Sequence, residues 1–185
     1  MRRRFYMQEH PCTCGIAVLR TVLHNNFNVK EKEDNLINLI EEIQEEKLKE
    51  DGLDKNELKL INKHKIKEKG TDIPHIKLLA EAYGLNVFSK SHASVENIKY
   101  LLDNSIWPII HRPSEIGEVG HYVLPYFYNH TMYLFDPYPK EWGGGRKKEN
   151  YNLFDEKWID KQGNKWFIFL YNKDNIKIPF KGKYL

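Results

Sequence analysis

The 185-residue sequence is short of several things, and each shortage excludes something. It has two cysteines, Cys12 and Cys14, one residue apart. A pair so placed builds no disulfide framework, and a reducing compartment would leave both as thiols. No apolar run approaches the roughly 18–20 residues of a transmembrane helix, so no membrane segment is expected. Arg2-Arg3-Arg4 has the look of a secretion signal, but Gln8, Glu9, His10 and Pro11 follow where an apolar stretch is needed. The expected location is therefore cytoplasmic. A net charge of +3, with no basic block interleaved with aromatics, gives no reason to expect a nucleic-acid partner. The glycine-rich run Gly143-Gly144-Gly145-Arg146-Lys147-Lys148 lacks the Gly-Lys-Ser/Thr of a phosphate cradle and reads as a flexible surface loop near the site.

What is present begins with Cys14. It stands before Ile16, Val18, Leu19, Val22 and Leu23, whose spacing predicts a helix from about Thr13 to Asn25 with one buried face. A thiol at a helix's first turn lies among unpaired N–H groups at the positive end of the macrodipole, and both favour thiolate. Cys12 follows Pro11 in an extended or turn setting, whereas Cys14 has a glycine behind it and the helix ahead, so Cys14 is the favoured nucleophile. His10-x-Cys12-x-Cys14 is too tight and too few for a closed zinc site, and no metal or organic cofactor is expected. Gln8 can swing its amide toward the helix entrance, where with the Cys14 N–H it would hold a developing oxyanion.

The remaining chain reads as helices first and strands later, an α+β pattern with helices packed on one side of an antiparallel sheet. One domain over residues 1–185 fits the length and the 41% hydrophobic content. Residues 30–69 form a lysine- and glutamate-rich stretch. Leu36, Leu39, Ile40 and Ile43 predict one helix there, and the Asp54–Glu57 capping box introduces another with Leu58 and Ile61. This Lys30–Lys69 segment reads as solvated surface helices or a partner-binding insertion. A helix after Gly70, with Ile76, Leu79, Ala80 and Tyr83 on one face, stops at Gly84. Leu85–Phe88 is a short strand, and Ser94 caps a helix with Ile98, Leu101 and Leu102 inward. Strands are then expected at Ile106–His111, His121–Phe127, Thr131–Phe135 and Trp166–Tyr171, followed by a lysine-bearing tail.

Among the eight histidines, simple geometry singles out one. If Tyr128-Asn129 is a two-residue turn, His121 and Asp136 fall directly opposite each other across a hairpin. Opposed Cβ atoms lie about 4.5–5.5 Å apart on one face, close enough for a carboxylate to accept a proton-bearing imidazole nitrogen. His24 and His75 lie near apolar helix positions, and His64 and His92 in polar surroundings. His111 and His130 flank the sheet without an obvious acid.

The chain then resembles a known family. Gln8…Cys14-Gly15, Gly120-His121-Tyr122-Val123-Leu124 and Tyr133-Leu134-Phe135-Asp136-Pro137 are similar to the three signatures of the bacteriocin-processing, double-glycine-leader cysteine peptidases, a branch of the papain-like superfamily. The likeness continues through Gly70–Val87, Ser94–Ile110 and the Phe154…Trp158 pair, and leaves out chiefly the charged stretch. It implies a papain-like α+β fold, with Cys14 as nucleophile, His121 as general base and acid, Asp136 as orienting carboxylate and Gln8 as oxyanion donor. It also implies a peptide or protein substrate. Thr13 departs from the acidic residue usual before the cysteine. The best-known members are fused to a membrane-spanning exporter and an ATPase, which these residues do not encode, so the chemistry is better supported than a double-glycine substrate. The readings that remain open beside a peptidase are a transpeptidase or amidase with the same triad, and a peptide-binding module without turnover.

Overall fold

A computed structural model of the chain describes residues 3–50, 66–114, 120–160, 163–172 and 183–184. Helix α1 spans Cys14–Phe27 and α2 Glu33–Glu50, while a short α3 covers Ile66–Lys69 and α4 Ile73–Ala82. After strand β1 (Asn86–Lys90) come α5 (Val95–Asp103), β2 (Ile109–Pro113), β3 (Gly120–Tyr128) and β4 (Met132–Asp136). A 3-10 turn at Lys140–Trp142 leads to β5 (Gly145–Glu149), α6 (Tyr151–Lys157), β6 (Phe167–Tyr171) and β7 (Lys183–Tyr184). The second predicted helix of the charged segment, with Asp54, Leu58 and Ile61, lies outside the described residues. No described helix is long and apolar enough to cross a membrane.

Local chemistry accounts for the element ends. Asn28 closes α1 in the left-handed region at φ 57°. Asp72 and His75 form a reciprocal capping box at the start of α4, and Ser94 and Asn97 do the same for α5. Gly84, at φ 69°, turns the chain from α4 into β1.

The described strands make one seven-stranded sheet in the order β5-β4-β3-β2-β6-β1-β7, with every pair antiparallel. Helices cover both faces, not one. On the first, Ile16, Leu19, Leu36 and Leu79 from α1, α2 and α4 pack on Ile109, Tyr122, Leu124 and Ile168. On the second, Ile98 and Leu101 of α5 and Phe154 and Trp158 of α6 pack on Ile110, Val123, Phe167 and Phe169. The strand Phe167-Ile168-Phe169-Leu170-Tyr171 is buried throughout, and a strand apolar on both sides needs cover on both.

Two local expectations are corrected. Residues 143–148 are not a free loop: from Gly145 they form the edge strand β5, paired with β4 from Asp136↔Gly145 to Met132↔Glu149. Its residues alternate between partly buried and exposed, and the outward Arg146 and Lys148 hide that alternation from a hydropathy reading. The β3–β4 hairpin also differs. Its strands are joined by residues 129–131, with Asn129 Oδ1 accepting from the Thr131 N–H at 3.1 Å, and the register shifts between Pro125 and Phe127. Pro125 has no N–H for the ladder, and a bulge beside it accommodates that loss. The observed pair Leu124↔Phe135 sets Asp136 across from Val123. His121 is therefore a diagonal neighbour of Asp136 rather than its opposite, still on the same face.

Candidate active site

Cys14 is the first residue of α1. Thr13 occupies the N-cap position without capping, because its hydroxyl hydrogen-bonds the Glu33 carboxylate instead. The glycine after the cysteine is needed for packing. A Cβ on Gly15 would lie 2.8 Å from the Thr71 Cβ and 3.1 Å from the Tyr122 ring. Burial pushes the Cys14 thiol up to about 11, against backbone hydrogen bonds from Tyr122 and Gly15 that favour the thiolate, while the Asp136 charge adds to the rise. The helix-entrance effect expected from the sequence is therefore present but outweighed by desolvation. At neutral pH the sulfur rests protonated and needs a base to become a nucleophile.

The residue immediately before Tyr122 is that candidate base. His121 is 2% exposed, and its Nε2 lies 2.8 Å from Asp136 Oδ1. Among the described residues its other nitrogen, Nδ1, is buried without a hydrogen-bond partner. Asp136 Oδ1 also accepts the Tyr138 N–H at 3.1 Å, and Oδ2 accepts from Lys147 Nζ at 2.8 Å. Burial alone would raise the Asp136 carboxyl. The hydrogen bond and charge of His121, with Lys147 and the Tyr138 N–H, win and hold it well below the usual carboxylate range. An ionised Asp136 can only accept from a proton on Nε2, which in the neutral ring leaves Nδ1 as the acceptor.

Gln8 is buried beside this pair, its backbone N–H donating to the Pro137 carbonyl at 2.8 Å. Its side-chain Nε2 donates to the carbonyls of His10 (2.8 Å) and Pro11 (2.7 Å), and its buried Oε1 has no partner among the described residues. The loop from Gln8 to Thr13 is tied in turn to α2. Glu33, fully buried, accepts the Glu9 N–H at 3.0 and 3.1 Å through its two oxygens and also holds the Thr13 hydroxyl. Asp34 pairs with His10 at 2.9 Å. The start of the charged Lys30–Lys69 segment therefore braces the loop that leads into Cys14.

Sequence reasoning missed three neighbours. The Tyr138 ring lies flat on the His121 imidazole, with centroids 3.8 Å apart and planes at 8°. The chain can fold it there because Gly144 has no side chain: a Cβ at that position would fall 1.6 Å from the Tyr138 carbonyl oxygen. Asp-Pro-Tyr was a local signal, since two residues beyond an orienting acid a side chain can reach the base. Glu33 carried no such signal because its contacts cross from α2 to the Gln8–Thr13 loop, and Lys147 carried none because it stands in a stretch that reads as a loop rather than as a strand beside β4. Of the other histidines, His75 caps α4, His24 meets the Tyr6 hydroxyl at 2.6 Å, and His111 stacks on Trp166 with centroids 5.3 Å apart. His92 and His130 are exposed, and His64 lies outside the described residues. A groove lined by Asn25, Trp107, Tyr126 and Phe127 sits at the far end of β3 and touches none of these site residues.

No protein-family profile and no curated protein matches the chain. Solved structures do. The peptidase domain of Streptococcus ComA, a bi-functional ABC transporter involved in quorum sensing, matches at TM-score 0.61 with 18% identity, covering 93% of this chain and 100% of that one. A double-glycine motif protease from an AMS/PCAT transporter, in complex with the leader peptide, matches at TM-score 0.54 with 18% identity, covering 91% of each chain. The peptidase domain of Streptococcus mutans ComA matches at TM-score 0.50 with 17% identity over 90% of this chain and 98% of that one. At this identity the likeness speaks for architecture: the chain has the α+β, papain-like fold of these transporter peptidase domains.

Proposed function

We propose that the chain is a cysteine peptidase that cleaves peptide bonds through an acyl-enzyme. The observation that carries this reading is the His121 ring, with Nε2 bound to an ionised Asp136, Nδ1 unclaimed among the described residues, and the next backbone group bonded to the Cys14 sulfur. Nδ1 takes the thiol proton as the sulfur attacks the substrate carbonyl carbon. The oxyanion accepts from the Cys14 N–H and from Gln8, whose amide must turn one N–H away from the His10 or Pro11 carbonyl to make that contact. His121 then gives its proton to the leaving amine, the C–N bond breaks, and a thioester remains on Cys14. Water, deprotonated by His121, releases the acid and restores the thiol.

Folds shared with peptidase domains, one of them solved with a leader peptide, favour a peptide as the substrate over a free amide. We place the enzyme in a reducing cytoplasm, where Cys12 and Cys14 stay thiols. The test is intact-protein mass spectrometry after mixing with peptides ending in Gly-Gly before the scissile bond. The expected product is a thioester adduct on Cys14 and a hydrolysed peptide, both absent in Cys14→Ala. An adduct mapped to Cys12, or cleavage that survives Cys14→Ala, overturns the assignment. Adding a free amine and finding only the transferred product would make the enzyme a transpeptidase.

A further inference from the structure

Asp136 is not a simple two-way partner of His121. Residues aligned on one face of four neighbouring strands form a row of alternating charge around it. Arg112 on β2 lies across from His121 on β3, Asp136 follows on β4, and Lys147 and Glu149 stand two residues apart on β5. Lys147 Nζ is 2.8 Å from Asp136 Oδ2, on a side chain 24% exposed, while Asp136 is 3% exposed. Arg112 NH2 approaches the same oxygen at 3.8 Å, but its NH1 is committed to Glu149 at 3.0 Å. Lys157 of α6 comes within 3.6 Å of Glu149. Each carboxylate oxygen of Asp136 thus has its own task, Oδ1 to the imidazole and Oδ2 to the lysine.

Resting on the peptidase reading above, we infer that Lys147 is a positioning residue of the site: by holding Oδ2 it aims Oδ1 at His121 and draws off part of the charge that would otherwise retain the imidazolium. Two consequences follow. The carboxylate cannot rotate without breaking an ion pair that is largely out of water. In addition, an imidazolium formed during attack is less tightly held, so it passes its proton to the leaving amine and returns to the base form more readily. The other ionisable groups around the pair leave Lys147 this role. Cys14 and Cys12 at the α1 entrance, Tyr122 and His111 on the opposite sheet face, and Tyr138 over the ring supply no cation to Asp136, and Arg112, whose NH1 pairs with Glu149, reaches Oδ2 only through NH2 at 3.8 Å against 2.8 Å for Lys147.

The experiment compares pH profiles of kcat/KM for peptide cleavage in the wild type, Lys147→Met and Lys147→Arg. The acidic limb reports the essential base of the free enzyme. Losing the cation is expected to move that limb to higher pH by about one unit, a cleavage loss of about tenfold on the acidic side with a smaller loss at the plateau, and arginine is expected to restore the wild-type limb. A limb that stays put in Lys147→Met, or moves as far in Lys147→Arg, overturns the inference. Lys147→Gln serves if the methionine variant does not fold. An NMR titration of the His121 ring in Cys14→Ala, with and without Lys147→Met, asks the same question without turnover. A shift there with no cleavage by the wild type would leave the role of Lys147 standing and sink the peptidase reading; cleavage with no shift would do the reverse.

Discussion

Two buried carboxylates flank the proposed nucleophile, and they behave oppositely. Glu33, on the helical side, accepts from a backbone N–H and a threonine hydroxyl; burial pushes its carboxyl up, and neutral partners compensate only in part. Asp136, on the sheet side, meets His121 and Lys147 and is held down in spite of its burial. What differs is the charge of the partners. Dipoles satisfy hydrogen-bonding capacity, whereas cations also stabilise the ionised form. The helical carboxylate therefore organises a loop, and the sheet carboxylate organises a proton.

The widest separation between the two should appear in turnover. Asp136→Ala is expected to lower kcat/KM by about a thousandfold, since the imidazole loses both tautomer and orientation. Glu33→Gln should cost less than about tenfold in the same assay. A comparable loss at both positions would show that the loop geometry is as limiting as the base. Next in size is a pH effect on stability centred on Cys14. Its thiol is raised in the folded state from 9.0 to about 11, so the folded form holds the proton more tightly and stability falls as pH rises through that window. The loss is on the order of 2–3 kcal/mol, and urea melts of Cys14→Ala between pH 8 and 11 should lack it.

Glu33→Gln is expected to cost about 1–3 kcal/mol in a denaturant melt at neutral pH, because a buried N–H or hydroxyl then faces an amide donor. Acid titration of stability should separate the pair by sign. The contribution of Asp136, whose carboxyl is depressed, is present at neutral pH and is lost as pH falls below the ordinary carboxylate range. That of Glu33, whose carboxyl is raised, is present in acid and is lost as pH rises through its folded value. Parallel slopes in Asp136→Asn and Glu33→Gln would erase the distinction. The smallest effect belongs to Tyr138→Phe, which keeps the ring stacked on His121 and gives up the 3.0 Å contact with Ser114 Oγ. Its kcat/KM should stay within about threefold of wild type.

The helix-borne half of the site was the more legible in the sequence. Cys14-Gly15 before an apolar stripe marks a helix entrance, and the stripe is local information that α1 obeys almost residue for residue. The hairpin was legible as a pairing but not as a register, since a bulge beside Pro125 and a three-residue connection are both invisible to periodicity. Lys147 was hidden because cations on an edge strand look like a loop. Glu33 was hidden because a buried glutamate in a lysine- and glutamate-rich helix is indistinguishable from its solvated neighbours until α2 docks against the Gln8–Thr13 loop. Both are products of tertiary packing, which propensity does not encode.

The bulge at Tyr126 imposes a parity rule on this hairpin. The simple turn and the observed one differ by an even shift of register, which is why His121 and Asp136 keep a common face under either. Had the connection lengthened by one residue without the bulge, every side chain beyond it would have changed sides, and His121 would have lost Asp136 to the opposite core. The extra residue in the strand and the extra residue in the turn cancel. Along the His121–Asp136 segment, length can therefore drift only in compensated steps, and a single-residue deletion at Tyr126 should be far more damaging than removing Tyr126 together with one residue of the turn.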